Sequence, residues 1–199
     1  MTRITARPAP AADHEEAVTV VNSYSDVASS SDLWTWVEHG FWVMAHGDRP
    51  DFDRLVHPRA INREAAAEPP AARQPGPAGF HATALWLRDM FADLAFDVHD
   101  VVAAGDLIAM HVSMSGRHVN DAVFYRDDAT VEQAFPATGR TFATTQSHWY
   151  RVRDGMVFEH WANRDDQGMA MQLGWVPPTP PYLVRMQLAT RRARRRAST

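Results

Sequence analysis

The order of hydrophobic periods along the chain predicts an α+β fold in which a curved antiparallel sheet wraps around N-terminal helices. Three observations carry this expectation. Apolar residues recur at helical spacing in the first half of the 199-residue chain, the period changes to two from Phe96 onward, and Asp154-Gly155 joins two strand-like segments.

The segment Asp32 to His46 reads as a helix, with Leu33, Trp36, Val37, Gly40, Phe41 and Met44 on one face, Ser31 or Asp32 at its start and Gly47 at its end. A short helix over Asp51 to Val56 is expected to stop at His57-Pro58. Residues 68–79 form a Pro/Gly-rich loop, and a second long helix is expected over Phe80 to Leu94, with Leu85, Leu87, Met90, Phe91 and Leu94 as its stripe. Strands follow over Phe96 to Ala103 and Leu107 to Arg117 around Gly105-Asp106, then an irregular excursion over His118 to Arg140. Thr141 to Arg153 and Met156 to Arg164 are read as a hairpin. A helix over Asp166 to Leu173, Gly174 and an extended Pro-rich run from Val176 to Pro181 complete the reading. Residues 31–175 are thus expected to form the domain. Residues 1–30 are expected to be a flexible extension, and residues 176–199 a Pro-rich arm and a solvated basic tail.

Composition removes several kinds of chemistry. The chain has no Cys and no Lys, and all 20 basic residues are Arg. Thiol nucleophiles, thiolate metal sites, Schiff-base catalysis and a phosphate-loop lysine are therefore excluded. The formal charge of −4 conceals five Arg in the last nine residues, so residues 1–190 carry −9. A body so negative repels phosphates, and the tail does not make this a nucleic-acid-binding protein. No signal peptide or membrane-spanning window is visible, so the protein is expected to be soluble and cytoplasmic. His39 and His46 share a helix face, but no third ligand for a metal accompanies them.

With Asp154-Gly155 as an ideal two-residue loop, His148 would face Trp161, Gln146 would face Asn163, Tyr150 would face Glu159 and Thr144 would face Asp165, all on one side of the sheet. Trp149 and His160 would lie on the other side. A face that gathers His, Gln, Thr, Asn, Asp, Tyr and Trp suits a pocket with a few directed polar groups better than an ordinary core.

Taken together, these segments resemble the SnoaL-like polyketide cyclases, or ester cyclases, of the NTF2-like superfamily. The resemblance covers about Asp32 to Gly174. It rests on Leu55-Val56-His57-Pro58, Gly76-Pro77-Ala78-Gly79-Phe80, Phe91-Ala92-Asp93-Leu94, Gly116-Arg117-His118, Pro136-Ala137-Thr138-Gly139-Arg140 and Arg151-Val152-Arg153-Asp154-Gly155. It rests most of all on residues 159–166 (EHWANRDD) and Met171-Gln172-Leu173-Gly174. It implies a cone-shaped α+β barrel, an assembly of two or four copies, no metal or organic cofactor, and a part in secondary metabolism such as antibiotic biosynthesis. It also implies closure of a polyketide ring by intramolecular aldol condensation. The key aspartate of these enzymes, near the end of the last strand, is matched by Asp165, and its helper on the preceding strand by His148. Two departures reshape the pocket. Residues 119–135 are inserted, and Arg63 stands after Asn62 where the resemblance leads one to expect histidine.

Aldol closure needs a base to remove a proton α to a carbonyl and donors to hold the developing oxyanion. Asp165 and His148 are the candidate catalytic residues. Trp161, Gln146, Asn163, Thr144, Tyr150, His118 and His111 are the candidate substrate contacts. Asp165 or Asp166 can also cap the following helix, Asp166 being the expected cap. Four residues of strand, roughly 13 Å, separate Trp161 from Asp165, so Asp165 and His148 would act at two ends of one substrate. The expected partner is a small hydrophobic molecule, with no nucleic acid, membrane or cofactor involved. An isomerase, a hydratase, a cofactor-free oxygenase and a non-catalytic ligand-binding module on the same scaffold remain open alternatives.

Overall fold

The computed structural model describes residues 29–198. The expected N-terminal extension therefore lies, except for its last two residues, outside the described residues. Helix α1 (Ser29–His46) and helix α2 (Arg49–Leu55) meet at Asp48, which caps α2 in a reciprocal box with Asp51. The end of α1 is closed from a distance. The Arg88 guanidinium donates to the carbonyls of Val43, Met44 and Gly47 at 2.6, 2.9 and 2.8 Å, satisfying groups a helix terminus leaves unpaired.

Strand β1 (Val56–Asn62) begins where the sequence predicts only a stop after His57-Pro58. Two single-turn helices, Ala65–Ala67 and Pro70–Arg73, lead to α3 (Pro77–Met90). Then come β2 (Phe91–Ala104), β3 (Leu107–His118), β4 (Ala122–Tyr125), β5 (Val131–Phe135), β6 (Thr141–Arg153), β7 (Met156–Arg164), α4 (Asp166–Leu173) and α5 (Pro180–Ala197). The main sheet runs β1-β7-β6-β3-β2, with β1 parallel to β7 and the other neighbours antiparallel. The expected α+β class with a curved sheet on N-terminal helices holds; the sheet stays open, with β1 and β2 as its edges.

The inner face of the sheet, carrying Ile108, Met110, Val112, Tyr150 and Val152, packs on Val37, Phe41, Phe52, Phe80 and Ala84 from the three leading helices. A second cluster of Met90, Phe91, Phe142, Leu173, Trp175, Tyr182 and Met186 closes the other end of the fold.

Four sequence expectations are corrected. The helix α3 stops at Met90, because Phe91 pairs with His118 in the sheet and Asp93 takes a positive φ of 56° within a break in register. The excursion 118–140 contains the β4–β5 hairpin. The strand β1 went unread because Pro58 argues against a strand interior, yet β1 is an edge, where a missing N–H costs nothing. Finally, the basic tail is helical. Tyr182, Met186 and Ala189 form a buried stripe on α5, the Thr190 hydroxyl accepts from Ala134 N at 2.9 Å, and Arg194 donates to the carbonyls of Val131 and Glu132.

Candidate active site

The register of the β6–β7 hairpin decides which side chains meet. Next to the turn the ideal pairing is kept, with Arg153 opposite Met156 and Val152 opposite Val157. Phe158 is then left over as a bulge, and beyond it Arg151 faces Glu159, Tyr150 faces His160, Trp149 faces Trp161, His148 faces Ala162 and Ser147 faces Asn163. The bulge is held on both sides. The Phe158 ring lies under the Arg153 guanidinium at 3.8 Å and against His57 at 5.1 Å, and β1 shifts its own register between Val56 and Ile61, the stretch that contains Pro58. One extra residue turns every later β7 side chain to the other face.

The expected inner row is therefore corrected on β7 and kept on β6. Thr144, Gln146, His148 and Tyr150 are all buried on the inner side. Trp161 and Asn163 instead share the outer side with Trp149 and Ser147, and the two indoles stack at 6.3 Å with planes 5° apart. His160 takes the inner place. His111 is on the outer face within 3.4 Å of Asp100, and His118 is wholly buried in the second cluster, where its Nδ1 accepts from Thr138 N at 3.3 Å. His111 pairs with Ser147, next to His148 but on the opposite face, and His118 lies at the far end of β3. Asp165 rather than Asp166 caps α4: its Oδ1 accepts from Gly168 N at 2.8 Å, and Asp166 lies 3.4 Å from Arg164. His39 and His46 both lie against the Trp42 ring, and among the described residues no three His, Asp or Glu side chains gather as a metal site.

Bringing His160 inward builds a polar chain in an aromatic setting. His148 Nδ1 is 2.9 Å from His160 Nε2, and the rings stack 5.2 Å apart, 14° from parallel. His148 Nε2 is 2.8 Å from Gln146 Oε1, and His160 Nδ1 is 2.9 Å from Asn62 Oδ1. The Asn62 amide nitrogen donates to Thr83 Oγ1 at 3.3 Å, and the Thr83 hydroxyl donates to the carboxylate of buried Glu68. Phe41 meets His148 edge-on at 5.3 Å, and Tyr150 meets His160 at 5.1 Å.

This enclosure sets the protonation of the rings. Burial first, then the Arg164 charge, pushes His148 down to about 3; burial, His148 and Arg164 in that order hold His160 well below its ordinary value. Burial also raises the Tyr150 phenol and the Glu68 carboxyl, the latter opposed by its bond from Thr83. Both imidazoles are thus neutral near pH 7, and a neutral ring can take a proton. A groove of about 290 Å³ is lined by residues 145–147 and 163–165 with His111, and it lies on the side of the sheet that carries Thr145, Ser147, Asn163 and His111, opposite the His148 ring. Gln146 lines that groove and its side chain touches His148.

The model of the SnoaL-like polyketide cyclase family matches residues 37–173, which spans both halves of this chain of hydrogen bonds. The chain belongs to the SnoaL-like polyketide cyclase family. It is 30% identical over 135 residues to the aklanonic acid methyl ester cyclase DnrD of Streptomyces peucetius, covering 67% of this chain and 85% of that protein. It is 28% identical over 133 residues to the nogalonic acid methyl ester cyclase of Streptomyces nogalater, covering 64% of this chain and 87% of that protein. Among solved structures, IdmH from Streptomyces antibioticus superposes with a TM-score of 0.53 at 26% identity, covering 71% of this chain and 97% of that one. TsrD from Streptomyces laurentii has a TM-score of 0.59 at 24% identity, covering 73% and 97%, and shares the fold. Among the described residues of this cyclase-family chain, no helix is long and apolar enough to cross a membrane.

His160, Asn62, Thr83 and Glu68 were missed by sequence reasoning. The first stands in the EHWANRDD run that carries the resemblance, but an ideal hairpin assigns it to the wrong face. Pro58 beside the β7 bulge was the available signal. Asn62 and Thr83 come from β1 and α3, and nothing local in the sequence joins them to a histidine 98 residues away.

Proposed function

We propose that the protein closes a ring in a polyketide ester by cofactor-free intramolecular aldol condensation, with His148 as the acid–base residue. The observation that carries this reading is the neutral His148–His160 pair, buried at His148 and half-buried at His160, adjoining Gln146. Family membership and the ester-cyclase names of the relatives support the substrate class. In the reaction, His148 takes a proton from the carbon α to the ester carbonyl. The resulting enolate carbon attacks a ketone carbon of the same molecule, a carbon–carbon bond forms, and the alkoxide receives the proton from the imidazolium. The product is an isomer of the substrate, so no oxidant, reductant or co-substrate is required. Gln146 supplies an amide N–H for the developing oxyanion, and the enclosure by Phe41, Tyr150 and the ring of His160 keeps His148 neutral, with a ring nitrogen free to take the proton. Asp165, to which the resemblance points, stands at the groove rim and holds α4 as its cap, so His148 carries the proton in this reading.

The test offers aklanonic acid methyl ester and nogalonic acid methyl ester to the purified chain and follows the appearance of an equal-mass product by chromatography. Turnover by the wild-type protein and a fall of about 10²-fold or more in His148→Gln are expected. Saturable binding of either ester without any isomer formed would refute the catalytic reading and assign the domain to ligand capture.

A further inference from the structure

The chain of contacts from Glu68 to Gln146 also determines which nitrogen of each ring carries the proton. Asn62 is held at both ends of its amide. Its Oδ1 accepts from Glu64 N at 3.1 Å, while its Nδ2 donates to Thr83, whose own hydroxyl proton is engaged by Glu68. Asn62 therefore presents an oxygen to His160, and only a protonated Nδ1 can answer it at 2.9 Å. In a neutral ring this leaves His160 Nε2 as an acceptor. The 2.9 Å contact from His148 Nδ1 must then be that acceptor's donor, and His148 Nε2 is left with a lone pair. At the far end the structure sets Gln146 Oε1 2.8 Å from that lone pair, acceptor against acceptor, but this amide is fixed only weakly, its Nε2 donating to the Met114 thioether at 3.3 Å. A thioether is a poor acceptor, so turning this amide over costs little, whereas turning Asn62 would set two donors against each other.

We propose that Asn62 is a positioning residue that fixes the tautomers of His160 and His148, so that Nε2 of His148 is the basic atom of the site, and that the Gln146 amide turns over when this atom takes a proton. The proposal deepens the acid–base reading of His148 and rests on it for its meaning in turnover. Its geometry does not need a substrate. The charged and titratable groups around the pair are Arg164 on β7, Glu64 and Arg73 from the connection between β1 and α3, Glu68 beneath Thr83, and Tyr150 on β6; Arg164, which also pairs with Glu64, opposes a cation on either ring. Free imidazole prefers its proton on Nε2, so Nδ1–H on both rings is a state the fold must impose.

The experiment is long-range ¹H–¹⁵N correlation spectroscopy of the full chain labelled with ¹⁵N-histidine, with His148→Gln and His160→Gln to assign the rings. At neutral pH the wild-type protein should show His160 and His148 each protonated at Nδ1 and bare at Nε2. In Asn62→Leu, His160 should revert to Nε2–H and His148 should follow. Asn62→Asp keeps an oxygen at the same place and a similar shape. It should retain the Nδ1–H pattern while raising the pH at which the pair takes its first proton by about one unit or more. A wild-type His160 carrying its proton on Nε2 would overturn the proposal. So would tautomers indifferent to Asn62→Leu, or a pair in Asn62→Asp that titrates as in the wild type. None of these readouts depends on turnover. An inactive protein with the expected tautomers refutes the cyclase reading alone, and an active one with the opposite tautomers refutes only the assignment to Asn62.

Discussion

Met186→Ala tests whether the basic C-terminal segment is part of the fold. Met186 is 6% exposed and sits in the second cluster with Tyr182, Leu173, Trp175 and Phe142. Truncating a buried Met to Ala removes its transfer free energy and leaves a cavity, together about 2–5 kcal/mol. A central cost of about 3 kcal/mol corresponds to a fall in Tm of roughly 6–12 °C for a chain of this size. Two deletions bracket the effect. Removing residues 191–199 takes away the two carbonyl contacts of Arg194 and the exposed Arg192–Asp121 pair at 3.4 Å, worth about 1–2 kcal/mol together. Removing residues 179–199 also strips away Tyr182, whose hydroxyl donates to Pro136 O at 3.0 Å, and Met186 and Ala189. At about 1.5–3 kcal/mol for each large side chain the loss approaches the stability of a typical domain. Thermal unfolding followed by circular dichroism measures all three. The expected order is a drop of a few degrees for the short deletion, a larger one for Met186→Ala, and loss of a cooperative transition for the long deletion. A long deletion that melts within about 2 °C of the full chain would show that α5 contributes nothing, and the docking reasoning would be wrong.

Three further outcomes follow from the site and its caps. Asp165→Asn keeps a good cap and should leave both Tm and ring-closing turnover near their wild-type values, whereas Asp165→Ala should cost about 1 kcal/mol; a 10²-fold loss of turnover in Asp165→Asn would make Asp165 the base instead of His148. Gly168→Ala should be worse than a simple helix substitution, because its Cβ would lie 2.0 Å from Asp165 Oδ2; a melting temperature equal to the wild type would refute the cap geometry. Acid should destabilise the protein through its buried histidines. His118 and His148 fall to about 4 and about 3 through burial, below the ordinary 6.5 of an unfolded chain. Their stabilisation is therefore complete above about pH 6.5 and declines below it, at about 1.4 kcal/mol per pH unit for each. The raised Glu68 carboxyl acts with the opposite sign, gaining stability as it protonates, so it offsets part of the loss. Urea midpoints between pH 7 and 4.5 measure the slope, and a midpoint independent of pH would refute the neutral burial of these rings.

How much of this was legible in the sequence depended on the range of the forces involved. The α+β class, the leading helices, the β2–β3 and β6–β7 strands and the inward row Thr144, Gln146, His148, Tyr150 are all readable from local periodicity, because alternation along one strand is set by its own backbone. The resemblance also placed the chain in its family from motifs that survive without knowledge of contacts. The tertiary structure alone decided the rest. A single bulged residue, Phe158, turned His160 inward and Trp161 and Asn163 outward, since a period of two converts one extra residue into a complete exchange of faces. Asn62, Thr83 and Glu68 reached the pair because β1 docks parallel to β7, a pairing with no signature in either strand. The five tail arginines are exposed, as the sequence suggests, but the helix that carries them went unforeseen because its stripe holds only three buried side chains, Tyr182, Met186 and Ala189. So short a stripe shows its worth only when β5 and the second core lie beneath it. Burial is a property of the assembled surface, and no stretch of sequence carries it alone.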